Sequence, residues 1–204
     1  MASLVRVLFT TDSFLKQRPV QASELPSNEL QKIPAGTQLV LQSYSEPDSN
    51  KHYKLSLNNL QFKGTNMNWY AFAEHIIISN KSFTPAKTIQ VLGASQTDKN
   101  VVGIYANRKT ITNKQSFLKI VFNVDTILKR DPISGDRLTD LSKQNIPAGT
   151  ELVLLTNSPD TSGLVKLPLK DRHVKVTLKD IEFKGFSKDW YVFVEHAGIQ
   201  QIVI

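Results

Sequence analysis

The chain has 204 residues, of which 40% are hydrophobic and 21% are charged, and its formal net charge is +7. This composition is typical of a chain that folds, as one large domain or as two small ones, and it argues against wholesale disorder. Because the chain contains no cysteine, disulfides, cysteine-ligated zinc and thiol nucleophiles are excluded. No stretch approaches the roughly 20 consecutive apolar residues of a membrane-spanning helix, and no signal peptide is recognisable. We expect no membrane partner, and the compartment stays undecided.

The first 78 residues have the pattern of short strands separated by turns. A long polar segment over residues 12–32 contains Pro19 and Pro26, which oppose regular structure. Pro34 and Gly36 suit the second and fourth positions of a type I turn. Alternating or β-branched apolar residues predict strands at residues 5–9, 37–41, 52–57 and 69–78. Short strands around one long early loop predict a small, partly open β-barrel.

Residues 79–117 are predicted to have a structure of their own, because a structureless loop of this length is unusual in a compact chain. Residues 88–92 and 101–105 have the composition of short strands, and residues 97–100 supply turn chemistry between them. We expect a β-hairpin that packs on one or both neighbouring units, because an isolated hairpin is marginally stable. This connector carries six basic residues against Asp98 alone, so it holds most of the net charge.

The last part of the chain repeats the first. The run Ile-Pro-Ala-Gly-Thr at residues 33–37 recurs at residues 146–150, and Phe-Lys-Gly at residues 62–64 recurs at residues 183–185. The offset grows from about 113 to about 121 residues between these matches, which indicates a longer surface loop in the second copy. The sequence therefore predicts an all-β chain of two homologous units with a connector. The predicted boundaries are residues 1–78, 79–117 and 118–204.

Two further features recur in both units. A Trp-Tyr pair opens a late strand at residues 69–70 and 190–191, and a proline-bearing loop follows the first strand at residues 13–19 and 126–132. In this order of elements both units resemble the bacterial SH3-like domains, and more narrowly the repeats appended to cyanobacterial peptidases and cell-wall hydrolases. The resemblance covers both copies but not the connector. It implies two small SH3-like β-barrels that form a non-catalytic binding or targeting module, often for peptidoglycan or peptide.

The late strand of each unit separates two kinds of side chain by alternation. Trp69 shares its face with small residues, as Trp190 does with branched ones, so we expect both tryptophans in the core. The opposite face is an aromatic strip suited to stacking on a sugar or peptide, and a lysine on the neighbouring strand suits a carboxylate or phosphate. The alternative, that both faces are buried, stays open. The predicted ligand-binding residues are Lys54, Tyr70 and Phe72 in the first unit and Lys175, Tyr191 and Phe193 in the second.

The four histidines fall into two equivalent pairs, His52 with His75 and His173 with His196. If their strands pair antiparallel, the two members of a pair should lie near each other across the ladder. With Glu74 or its counterpart, a pair would offer two nitrogens and a carboxylate to a divalent metal ion. Adjacent residues point to opposite faces of a strand, however, and no Ser or Asp recurs at a suggestive position with the histidines. We therefore predict no metal site, no cofactor and no catalytic residue.

These observations favour a non-enzymatic tandem binding module that recognises a cell-wall glycan, a peptide or a protein partner. Two weak sites on one chain gain avidity through effective concentration. Two alternatives stay open. One is a nucleic-acid-binding protein that uses the basic connector, which the near-neutral charge of both repeats disfavours. The other is a metal-dependent enzyme that uses the duplicated histidine pairs.

Overall fold

The computed structural model describes residues 5–80, 101–105, 116–155 and 164–203. Within these ranges the chain forms strands and short 3₁₀ turns but no α-helix, which confirms the all-β prediction. None of the described segments forms a helix long and apolar enough to cross a membrane.

The first repeat contains seven strands in one antiparallel arrangement. They are β1 (Arg6–Phe9), β2 (Ser13–Lys16), β3 (Leu30–Ile33), β4 (Gln38–Tyr44), β5 (His52–Leu57), β6 (Trp69–Phe72) and β7 (Ile76–Ser79). Their spatial order is β3-β2-β6-β5-β4-β1-β7. The 3₁₀ turns are Ala22–Glu24, Ser27–Glu29 and Ala73–His75.

The second repeat reproduces this order. Its strands, with one from the connector, are β8 (Val101–Tyr105), β9 (Ser116–Phe122), β10 (Thr126–Lys129), β11 (Lys143–Ile146), β12 (Glu151–Leu154), β13 (Leu164–Lys170), β14 (His173–Val176), β15 (Trp190–Phe193) and β16 (Ala197–Val203). The equivalent strands have the orders β11-β10-β15-β14 and β12-β9-β16, and the isolated bridge Leu154–Leu178 joins β12 to the residues that follow β14. Gly135–Arg137 and Asp140–Ser142 are its 3₁₀ turns.

The strands form two sheets, one of ten strands and one of six, and neither sheet closes on itself within the described ranges. The larger sheet contains the whole first repeat together with β9, β12 and β16. The smaller sheet has the order β11-β10-β15-β14-β13-β8. The open sheets leave the two SH3-like barrels as a prediction.

The repeated Ile-Pro-Ala-Gly-Thr segment forms a tight turn one residue later than predicted. The amide of Thr37 donates to the carbonyl of Pro34, so Gly36, with φ +84°, occupies the third position of a type II turn rather than the fourth of a type I turn. The carboxylate of Asp12 accepts a hydrogen bond from the amide of Ala35 at 2.9 Å, and its counterpart accepts the equivalent bond at 2.8 Å. The recurrence of this aspartate therefore has a structural cause.

The late strand predicted over residues 69–78 is broken in the structure. The 3₁₀ turn Ala73–His75 separates β6, which pairs with β5, from β7, which pairs with β1. Because β6 and β7 pair with different strands of the repeat, the chain changes direction between them. The side chains of β6 alternate as predicted, and both Trp69 and Trp190 are fully buried, which confirms their place in the core.

The two repeats contact each other through equivalent positions. Phe62 and Phe183, which correspond in the alignment, stack with ring centroids 5.3 Å apart and planes 10° apart. Gln38 of β4 faces its counterpart Glu151 of β12, and the Gln38 amide donates to the Glu151 carboxylate at 3.2 Å. A local two-fold axis therefore relates the repeats, and their buried side chains form one continuous hydrophobic cluster.

The described strand of the connector, β8, pairs with a strand of the second repeat. Residues 88–92, predicted as the first hairpin strand, and the basic residues of segments 81–100 and 106–115 lie outside the described residues. The second predicted strand, β8, is present and pairs antiparallel with β13. Because β13 belongs to the longer loop of the second copy, the extra residues of that loop provide the docking strand.

Candidate functional site

The predicted lysine and tyrosine residues lie in one row across three strands. Tyr70 of β6 is directly opposite Lys54 of β5 on one side and Lys16 of β2 on the other. Directly opposite residues share a face of the sheet, so the row lies on the outer face, away from the buried Trp69. We call Lys16, Tyr70 and Lys54 the first lysine–tyrosine row. The second row consists of Lys129, Tyr191 and Lys175.

The lysine on β14 is held by a partner that the first repeat lacks. Lys175 Nζ lies 2.7 Å from a carboxylate oxygen of Asp189 and 5.9 Å from the ring centroid of Tyr191. The hydrogen bond with Asp189 raises the pKa of Lys175 and lowers that of Asp189. Asn68 stands at the equivalent position of the first repeat, and Lys54 forms no ion pair with the described residues. The two rows are alike in position and differ in charge compensation.

Phe72 lies between two histidines rather than beside an open metal site. His52 is its direct cross-strand partner, with ring centroids 5.5 Å apart, and His75 contacts it from the following 3₁₀ turn at 5.1 Å. Phe193 of the second repeat has the same two contacts at 5.3 and 4.9 Å. The two histidines of a pair therefore lie on either side of one phenylalanine ring, and His52 is paired across the ladder with Phe72 rather than with His75.

One histidine of each pair contacts the lysine of β2 or β10. Lys16 Nζ lies 2.6 Å from His52 Nε2 and donates to the carbonyl of Val20 at 2.6 Å. Lys129 Nζ lies 3.4 Å from His173 Nε2 and donates to the carbonyl of Ile133 at 2.8 Å. His173 Nδ1 also donates to the Asp171 carbonyl at 2.7 Å, which leaves Nε2 as the acceptor for the lysine.

Burial keeps these histidines neutral. Burial lowers the pKa of His52, and the nearby Lys16 ammonium lowers it further, against a smaller opposing effect of Asp48. Burial is also the main cause that lowers the pKa of His173, with Lys129 acting in the same direction. The pKa of Lys16 is itself lowered by burial. At neutral pH the imidazoles therefore act as hydrogen-bond acceptors that position a lysine.

Acidification is expected to destabilise the fold through these histidines. Their pKa values are lower in the folded chain than the ordinary value of about 6.5, so the unfolded chain binds more protons as the pH falls through that range. Thermal unfolding followed by circular dichroism should give a lower Tm at about pH 5 than at about pH 7. The His52→Gln, His173→Gln double variant should flatten this dependence, whereas His75→Gln, His196→Gln should retain it. An unchanged slope in the first double variant would contradict the assignment.

The other histidine of each pair contacts a hydroxyl group that the sequence patterns did not identify. Ser13 Oγ lies 2.9 Å from His75 Nδ1, and Thr126 Oγ1 lies 2.8 Å from His196 Nδ1. The sequence analysis considered only a recurring Ser or Asp, and the hydroxyl group escapes that criterion because Ser13 is replaced by Thr126 in the second copy. A search for chemically similar residues at the same offset would have found the pair.

Within the described residues, these hydroxyl–imidazole pairs do not form a complete catalytic set. A catalytic triad needs a third group, usually a carboxylate, that orients the imidazole. No described carboxylate bonds to His75 or His196. Glu74 pairs instead with Lys51 at 2.9 Å, and its counterpart Glu195 pairs with an arginine. For the same reason the carboxylate of the hypothetical metal set is engaged elsewhere, and no group of three or more metal-binding side chains assembles in the described parts of the chain.

A cavity of about 480 Å³ opens beside Lys129 of the second lysine–tyrosine row. Its size is within the range of small-ligand sites. Polar groups and apolar side chains both contribute to its wall, and one side is formed by the loop that follows β10. The lining residues are Asp125, Thr126, Ile127, Lys129, Pro132, Ile133, Ser134, Gly135, His173, Phe193 and His196. The predicted Phe193 thus lies in the cavity wall.

A second groove, of about 460 Å³, lies between the repeats. Lys32 of β3 and Asp180 form an ion pair there at 3.1 Å, and Gln31 donates to the Asp180 carbonyl at 3.4 Å. Lys63 lies on its rim in a two-residue turn of the I′ type, with φ +50° followed by Gly64 at +82°. Lys32 and Asp180 therefore compensate each other within this groove.

Comparisons of the chain with models of protein families, with curated proteins and with solved structures find no match.

Proposed function

We propose that the chain is a non-catalytic tandem binding module, built from two SH3-like units, that recognises a cell-wall peptide or glycan. The observation that supports it is the recurrence of one outer-face set in both repeats: a tyrosine between two lysines, next to a phenylalanine between two histidines. A duplicated core explains duplicated apolar residues. It does not require a duplicated row that places a partly exposed tyrosine between two lysines.

The chemistry of the row suits binding better than catalysis. A tyrosine ring presents a flat apolar surface and a hydroxyl group, which suit a sugar ring or a peptide bond. Flanking ammonium groups suit the carboxylates and carbonyls of a wall peptide. The hydroxyl–imidazole pairs beside the row lack an orienting carboxylate in the described residues, so they support positioning rather than bond cleavage.

Binding to purified peptidoglycan tests this function in a pull-down with the full chain. Tyr70→Ala and Tyr191→Ala should each weaken binding by about tenfold, because truncating a tyrosine at the centre of an interface costs about 1–2 kcal/mol or more. The double variant should lose binding. Tyr44→Ala is the control, since Tyr44 is a more exposed tyrosine that lies outside both rows and contacts Tyr53.

Three results would contradict parts of the proposal. Absence of binding by the intact protein would discard the cell-wall ligand. Equal losses in the control and in the row variants would discard the rows as the site. Tight oligonucleotide binding that falls steeply with added salt would favour the nucleic-acid alternative instead.

A further inference from the structure

The two repeats differ at the lysine of β2 and β10. Lys16 is buried, with 5% of its surface exposed, and both of its contacts are short. Lys129 is only partly buried, its contact with His173 is longer at 3.4 Å, and it lines the cavity of the second repeat. The lysine at this duplicated position is therefore buried in the first repeat and partly exposed, next to a cavity, in the second.

Residue exchanges in the covering loop accompany this difference. Ala22 of the first loop is replaced by Gly135, which packs so closely that a Cβ there would lie 3.3 Å from Ile127 Cδ1 and 4.0 Å from Lys129 Cε. Glu24 is replaced by Arg137. Glycine keeps space beside the lysine, and the loss of Glu24 is offset by Asp136, which stands where the first loop has Ser23.

The charged residues around Lys16 and Lys129 also differ. In the first repeat the carboxylates of Glu24 and Asp48 act on Lys16. In the second repeat Arg137 replaces Glu24, and two nearby carboxylates bond to other donors. Asp125, which lines the cavity, accepts the Ala148 amide, and Asp136 accepts the Ser134 hydroxyl, which lowers the pKa of Asp136 with a smaller contribution from Lys129. His173 is an acceptor and His196 contacts Thr126. None of the described carboxylates forms an ion pair with Lys129, so its ammonium faces the cavity held only by the Ile133 carbonyl and His173.

We infer that the cavity of the second repeat binds the C-terminal carboxylate of a peptide whose last residue is small and apolar. The Lys129 ammonium uses two protons for Ile133 and His173, and the third is left for the carboxylate. Ile127, Ile133 and Phe193 provide the apolar wall for the adjoining side chain. The inference rests on the proposed binding function and makes the two repeats unequal, because the first has closed over its own lysine.

NMR titration of the full chain tests this with N-acetyl-alanyl-alanine and with the same dipeptide as its C-terminal amide. The free acid should shift resonances of the cavity residues saturably, and amidation should weaken binding by about tenfold or more, as expected for loss of a charged hydrogen bond. Lys129→Met should weaken binding of the acid to the same extent while leaving the amide unaffected. Lys188→Met removes an equal charge at an exposed position outside the cavity and should bind like the wild type.

Failure of the inference can be separated from failure of the proposed function by peptidoglycan pull-down with the same variants. If acid and amide bind equally, or neither binds, the carboxylate site is overturned even where peptidoglycan is retained by the intact chain. If the acid binds through Lys129 but peptidoglycan does not bind, the cell-wall function fails and the carboxylate site stands. Should Lys129→Met unfold, the comparison of acid with amide on the wild-type chain decides alone.

Discussion

Replacing Phe62 with alanine is expected to lower the free energy of unfolding by about 3–5 kcal/mol, the cost typical of deleting a buried aromatic ring. Phe62 is fully buried, stacks on Phe183 of the other repeat and contacts the edge of Trp69 at a centroid distance of 6.3 Å. Because the same ring supports its own repeat and the contact between repeats, its loss leaves a cavity where the two halves of the core join. Chemical denaturation followed by tryptophan fluorescence measures the effect.

The matched comparison uses Met67→Ala. Met67, like Phe62, lies in the segment before β6, but its side chain is 54% exposed. That variant should change the free energy of unfolding by no more than about 0.5 kcal/mol. Phe183→Ala should cost as much as Phe62→Ala, and the double variant should cost less than the two together because the rings contact each other directly. Strict additivity, or a Phe62→Ala loss as small as that of Met67→Ala, would contradict the role of the stack in joining the repeats.

The sequence predicted those features that depend on local patterns. Alternation along residues 69–72 placed Trp69 inside and Tyr70 outside, and the structure has both positions. The internal repeat predicted one architecture used twice, and the strand orders of the two copies agree. Lys54 and Tyr70 could be singled out together because each lies on the polar or exposed side of its own strand. Their direct opposition in the sheet required the pairing register.

Features that depend on where distant segments meet could not be predicted. Nothing local distinguishes Phe62 from other apolar residues, yet its partner is its own counterpart about 121 positions away. The turn at residues 73–75 arises because the two halves of one apolar run pair with strands that are far apart in sequence. The first half, β6, pairs with β5, and the second half, β7, pairs with β1. The contact of Ser13 with His75 likewise forms only when the sheet brings the two residues together, although the recurrence of a hydroxyl group at residues 13 and 126 is visible in the sequence.

The junction between β4 and β12 also contains a charge arrangement that duplication alone would not produce. Equivalent positions face each other there, so a glutamate at both would place two carboxylates side by side, which is unfavourable. The chain has Gln38 opposite Glu151, and the single carboxylate pairs with Lys119. Arg6, the counterpart of Lys119, is buried, and the Glu151 charge opposes the desolvation that lowers the pKa of Arg6. One acidic group thus compensates two cations across the local two-fold axis.

Glu151→Gln is therefore expected to destabilise the protein by about 2–3 kcal/mol, because it leaves two poorly solvated cations without their shared carboxylate. The side chains of Glu151 and Lys119 are only 14% and 15% exposed, so solvent screens them little. Glu74→Gln is the same substitution in the exposed ion pair with Lys51 and should cost less than about 1 kcal/mol. Urea denaturation of both variants decides. Equal costs would show that the carboxylate at the junction is no more than a surface charge, whereas the expected difference means that divergence of Gln38 and Glu151 lets two copies of one unit share a sheet.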